Sequence, residues 1–155
     1  MRKSNFSKSR VKGFFAVQIK DKKTGKIVGD SGWTANTLTN NGLNAIAAIA
    51  IGGGGSYAVG YAAIGKGTDA IVASMTDLKS KQNKYLAITP STVATGTARC
   101  TVSFDGSDNS ATLTIGEIGL FKTDSAGSMV AGNVFTTSQM TTDQTLNATY
   151  ELRFS

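Results

Sequence analysis

From Leu146 to Phe154 the chain alternates without a break: Leu146, Ala148, Tyr150, Leu152 and Phe154 share one face, and Asn147, Thr149, Glu151 and Arg153 share the other. A period of two is the signature of a half-buried antiparallel strand. Upstream, the same rule sets Ala98, Cys100, Val102 and Phe104 opposite Thr97, Arg99, Thr101 and Ser103. Strands with one apolar and one wet face pack into sandwiches or barrels. No catalytic constellation rides on these two.

The rest of the chain reads in the same idiom. Val11 to Lys20 is expected to be a strand, Asp21 to Gly25 a turn, and Lys26 to Trp33 the returning strand of a hairpin. Asn40 or Asn41 caps a short helix on which Leu43, Ile46, Ala47, Ala50 and Ile51 recur at helical spacing, an apolar face that would plug one end of a sandwich. After the glycine run, Tyr57 to Ile64 should be a central strand, and Ala70 to Lys81 a second short helix. Further strands follow at Tyr85 to Ile88, Thr95 to Phe104, Ala111 to Phe121, Met129 to Phe135 and Thr145 to Phe154, with turns at Asp105 to Asn109 and Asp124 to Gly127. Between Ile115 and Ile118 the alternation changes phase, which predicts a β-bulge at Gly116 and Glu117. The fold class is therefore all-β. Seven or eight strands and one or two short helices predict an antiparallel β-sandwich, a single jelly roll.

A length of 155 residues fits one domain with a real core. Residues 11–155 are assigned to it, and residues 1–10 to a basic arm. Glycine is abundant at 18 residues and Pro90 stands alone, so turns depend on glycine, and polar positions are filled mainly by Thr, Ser and Asn. With no histidine, the histidine-dependent triads are excluded, and one cysteine allows no internal disulfide. Cys100, on the apolar side of its strand, reads as a small buried hydrophobe rather than a nucleophile, with an intermolecular disulfide as the alternative. The longest apolar run, Leu43 to Ile51, is far short of the roughly 20 residues a membrane helix needs, and no secretory signal precedes the first strand.

The formal charge of +6 is unevenly placed. Arg2, Lys3, Lys8, Arg10, Lys12, Lys20, Lys22, Lys23 and Lys26 face only Asp21 before residue 27. Phe6 is the one bulky apolar group between Met1 and Ser9, so this stretch reads as an arm rather than a core strand. Arg2, Lys3, Lys8, Arg10 and Lys12 are the candidate partner-binding residues. They suit phosphates, including those of nucleic acid, or an acidic protein surface, and the alternative is a solvated tail.

One motif points to an enzyme. Gly60 to Thr68 reads GYAAIGKGT and fits a phosphate loop, with Lys66 on phosphates, Thr68 on magnesium and a helix opening at Asp69. Such a site requires a parallel sheet, a second metal-binding carboxylate and arginines over the phosphates. Beyond residue 12 the only arginines are Arg99 and Arg153, both on alternating strands, so a tight glycine turn after a buried strand is the preferred reading. Glu117 at the bulge is expected to bond backbone groups rather than act as an acid. The Asp105 and Asp108 turn lacks the ligand spacing of a calcium loop. No catalytic, cofactor-binding or metal-binding residue is assigned.

The order of several segments carries a resemblance. GKIVGDSGWTANTLTNNGLNAI, YAAIGKGTDA, IGEIGLFKTDSAGSMVAGNVF and TLNATYELRFS follow one another as in the small jelly-roll structural proteins of tailed bacteriophages, which residues 12 to 155 resemble. The matching residues are Asn41, Gly42 and Leu43; Gly65, Gly67 and Thr68; Glu117, Gly119, Leu120 and Phe121; and Val134 and Phe135. Lys66 departs from that pattern, which has a small or hydroxyl residue there. The resemblance implies a virion component without enzymatic activity or cofactor: a capsid decoration or vertex protein, or a fibre or tail component. Its partners would be copies of itself, in a trimer or pentamer, and other virion proteins such as the major capsid protein. The alternatives are a receptor- or glycan-binding β-sandwich module, which would show an exposed aromatic shelf, and, more remotely, a nucleotide-dependent phosphotransferase.

Overall fold

The computed structural model describes residues 10–52, 54–82 and 84–155. The strands are β1 (Val11–Asp21), β2 (Ile27–Asp30), β3 (Thr34–Ala35), β4 (Thr37–Leu38), β5 (Tyr61–Gly65), β6 (Leu86–Ala87), β7 (Thr89–Ala94), β8 (Thr97–Asp105), β9 (Leu113–Phe121), β10 (Met129–Met140) and β11 (Gln144–Phe154), with one helix, α1 (Asn40–Ala50), between β4 and β5. They form two antiparallel sheets. The first runs β2-β1-β11-β8-β7, with β3 also on β1, and the second runs β4-β10-β9-β5-β6. This is an all-β sandwich.

The pairing is nested. β1 pairs with β11, β4 with β10, β5 with β9 and β7 with β8, as in one long antiparallel ribbon closed at its β7–β8 end. The outermost and innermost pairs share the first sheet, and the two middle pairs share the second. Phe15, Val17, Ile19, Phe104, Leu146 and Ala148 of the first sheet meet Ile64, Ile115, Ile118, Leu120 and Met140 of the second. Phe15 and Tyr150 pack with ring centroids 4.9 Å apart.

The strands with one wet face fall where alternation puts them, at β1, β8 and β11. Several expectations are corrected. The segment from Ala70 to Lys81 forms no helix. Its backbone is held by distant partners instead: Met129 N donates to Thr76 O and Asn40 N to Ala73 O. Its Ile71 and Leu78 cover the outer side of the second sheet with Ala63, Phe121 and Met129, a second core that leaves β9 buried on both faces. The segment Tyr57 to Ile64 is not all strand, because a 3-10 turn at Gly54–Tyr57 precedes the shorter β5, which lies next to the two-residue β6 rather than at the sheet centre. β7 is a strand that alternation misses, because all six of its residues are exposed. It contains Pro90, which an edge strand tolerates.

Helix α1 is real but turned. Its cap is Thr39, whose hydroxyl accepts from Gly42 N and donates to Met129 O at 2.6 Å, rather than Asn40 or Asn41. The buried positions are Gly42 and Ala45, while Leu43, Ala47 and Ala50 are exposed. A Cβ on Gly42 would collide with Val130 O, so close approach to β10 decides which face goes inward. The helix still lies over one end of the sandwich, where Ala45, Ile46 and Ile49 line a small cavity of about 90 Å³ with Leu120, Val130 and Leu152.

The phase change in β9 coincides with a register shift, but the extra residues sit on β10. Glu117 faces Val134 and Ile115 faces Ser138, so Phe135 to Thr137 span the position opposite Gly116.

Candidate functional site

Two arrangements of polar side chains stand out: a buried carboxylate in the second sheet and the outer face of the first. Glu117 is fully buried. Its carboxylate accepts three backbone N–H groups, from Gly67 at 3.1 Å, Lys79 at 3.1 Å and Ser80 at 2.7 Å. Carboxylates bonded in this way tie loops down. The bonds come from the 66–80 loop and not from the bulge, which corrects the partner expected for Glu117. A Cβ on Gly67 would lie 2.6 Å from the Glu117 carboxyl carbon, and one on Gly65 would lie 2.5 Å from Ser80 O. These two glycines in the GYAAIGKGT string are therefore required by close packing around Glu117. The Gly67 amide holds the protein's own carboxylate, and no helix opens at Asp69.

The outer face of the first sheet is built from rungs that cross its strands. Phe14, Glu151, Arg99 and Ser91 form one rung, Ala16, Thr149, Thr101 and Thr89 the next, and Gln18, Asn147 and Ser103 a third. In the first rung Glu151 is clamped by two guanidiniums: Arg99 Nε donates to Oε1 at 2.9 Å and Arg153 Nε to Oε2 at 2.8 Å. The Arg99 hydrogen bonds, followed by those of Arg153, hold the Glu151 carboxyl below its ordinary range. Arg153 lies 4.3 Å from the Phe14 ring centroid and 5.6 Å from that of Trp33.

Trp33 reaches this face through a kink. Ser31 N donates to Val17 O and Val17 N to the Ser31 hydroxyl; Gly32, at φ 62°, then turns the chain between β2 and β3. The ring stays 48% exposed beside the second and third rungs. There the sheet forms a trough of about 540 Å³, walled by Trp33 on the β1 side and by Ala87 and Thr89 on the other. Among the described residues, no hydrogen bond engages the hydroxyls of Thr89, Thr101, Ser103 and Thr149.

The other candidate residues are scattered. Cys100 is buried, and burial pushes its thiol up to about 12, so it behaves as a core side chain. Asp105 caps the 3-10 turn at Gly106–Asp108 and pairs with Lys22. Among the described residues no cluster of acidic or cysteine side chains could hold a metal ion, and no helix is long and apolar enough to cross a membrane. Arg10 and Lys12 lie at the start of β1, where Arg10 N donates to Ser155 O at 2.5 Å. Arg2, Lys3 and Lys8 lie outside the described residues. The Glu117 clamp and the trough escaped sequence reasoning. The GYAAIGKGT string signalled the first, and Trp33 directly after Gly32 signalled the second.

The chain is thus a two-sheet antiparallel β-sandwich with a carboxylate-locked loop on one side and a polar, aromatic-walled trough on the other. No family model, curated protein or solved structure matches it.

Proposed function

We propose that this chain is a non-enzymatic structural protein of a tailed-bacteriophage virion, a capsid decoration or vertex protein or a fibre or tail component, working as a symmetric oligomer. The observation that carries the self-assembly is the apolar surface left in water on and just after α1, where Leu43 and Ile49 are each 50% exposed and Ile51, past its last residue, is 89% exposed. Apolar side chains grouped on one short element are costly to leave in water and suit a contact between copies. The uncharged edge strand β7 supports the same reading, because it offers unpaired backbone groups to a neighbour. The nested pairing supports a jelly-roll-related winding. A jelly roll alternates successive ribbon pairs between sheets, whereas here the two middle pairs stay together, a difference of one crossover. Arg10 and Lys12, with Arg2, Lys3 and Lys8 ahead of them, supply the basic arm for an acidic capsid surface or nucleic acid.

Size-exclusion chromatography with light scattering at low and high salt tests the assembly. A trimer or pentamer that dissociates in Ile49→Ser/Ile51→Ser is the expected result. A monomer at both salt concentrations overturns self-assembly.

A further inference from the structure

We propose that the trough on the outer face of the first sheet is a binding site for a neutral oligosaccharide, with Trp33 as its stacking platform. The chemistry of the surface selects this ligand class. A pyranose ring has an apolar C–H face and a rim of hydroxyls that both donate and accept. The trough offers an aromatic wall for the face, and for the rim it offers groups that do both: the hydroxyls of Thr101, Ser103 and Thr149 and the amides of Gln18 and Asn147.

Pre-organisation favours binding over mere wetting. Gln18 Nε2 donates to Asp30 Oδ2 at 2.8 Å, which fixes the amide in the second rung's neighbour, and Asn147 Nδ2 donates to Thr145 Oγ1 at 3.3 Å. The Arg153 guanidinium, itself tethered to Glu151, lies beside the indole. These side chains therefore need little ordering when a ligand arrives. Ala16 at the floor keeps the trough open between Trp33 and the β7 wall, roughly three strand spacings or about 14 Å away.

The lining, hydroxyl and amide groups for the most part, suits a neutral sugar. The hydroxyl rung has no ionisable side chain, and the two guanidiniums are held on Glu151 of the neighbouring rung rather than turned into the trough. Lys20 is the one charged residue that lines the trough.

Trp33 is the only tryptophan, so its fluorescence reports ligand arrival directly. The full chain is titrated to 10 mM with malto-, cello-, chito- and galacto-oligosaccharides and with sialyllactose, followed by tryptophan emission and by saturation-transfer NMR. At least one neutral oligosaccharide should change the emission and show saturation transfer. Trp33→Ala, read by saturation transfer, and Asn147→Ala, read by both methods, should weaken binding at least tenfold, with the far-UV circular dichroism unchanged. Three outcomes overturn the proposal: no response from any neutral sugar, a response from sialyllactose alone, or binding that persists in both variants. The result is independent of oligomeric state, so it stands or falls apart from the virion reading.

Discussion

Glu117 shows how one side chain fixes a loop of some fifteen residues. Three N–H groups of a partly exposed loop converge on its buried carboxylate, and each would lose its acceptor in Glu117→Ala. An unsatisfied buried donor costs about 1–3 kcal/mol, so this variant should lose at least about 3 kcal/mol in urea unfolding. Gly67→Ala should cost about 2 kcal/mol through overpacking. The double variant should lose measurably less than the sum, because the added methyl then meets the space left by the carboxylate. Simple additivity would mean that the two residues do not interact. Acid stability is also decided at this scale. Lys22 and then Ser107 hold Asp105 down to about 2, and the arginines depress Glu151. Both carboxyls titrate near 4 in the unfolded chain, so their contribution is fully present above about pH 4 and is lost as pH falls toward 2. Urea midpoints should be flat from pH 7 to 5 and drop steeply below 4. For Glu151→Gln the loss at pH 7 should be about 1 kcal/mol, since both guanidiniums are partly solvated.

Among the elements, legibility in sequence follows from how many faces are wet. β1, β8 and β11 each bury one face, so alternation announces them. β9 buries both faces, and its bulky residues still alternate on either side of a phase change, so it too is read; β7 buries neither face, which leaves no alternation to read, and Pro90 and the all-polar look of Thr89 to Thr92 further hide an edge strand. The segment expected as a helix over Ala70 to Lys81 is instead ordered by partners at positions 40, 117 and 129 that no local pattern reveals. The existence of α1 was legible and its orientation was not. Bulk suggests that Leu43 and Ile51 turn inward, whereas clearance over Val130 O demands Gly42. Gly42→Ala should therefore destabilise the protein by at least about 2 kcal/mol, against the gain an exposed helical glycine would show. A thermal melt of this variant checks which force orients the helix. At the candidate sites, the phosphate-like string marked the right residues with the wrong partner, because the anion it cradles arrives from a strand fifty residues away.

At the level of the whole molecule, the basic arm and the sandwich should act separately. Removing residues 1–9 should leave the melting temperature within about 2 °C, because Phe6 is the one bulky apolar side chain among them. If the arm grips an acidic capsid surface or nucleic acid, the truncation should also lower incorporation into particles at moderate salt and flatten its salt dependence. Unchanged incorporation would assign the arm to solubility alone. The pairing of β1 with β11 has a consequence for how this protein is made. The strand at the heart of the first sheet is synthesised after both of its neighbours, so β1 and β8 must each wait for it with one edge unpaired. Such distant pairing is slow to form. During synthesis the chain is therefore exposed to pairing with neighbouring nascent copies, and its yield should depend on chaperone supply and growth temperature far more than its final stability would suggest.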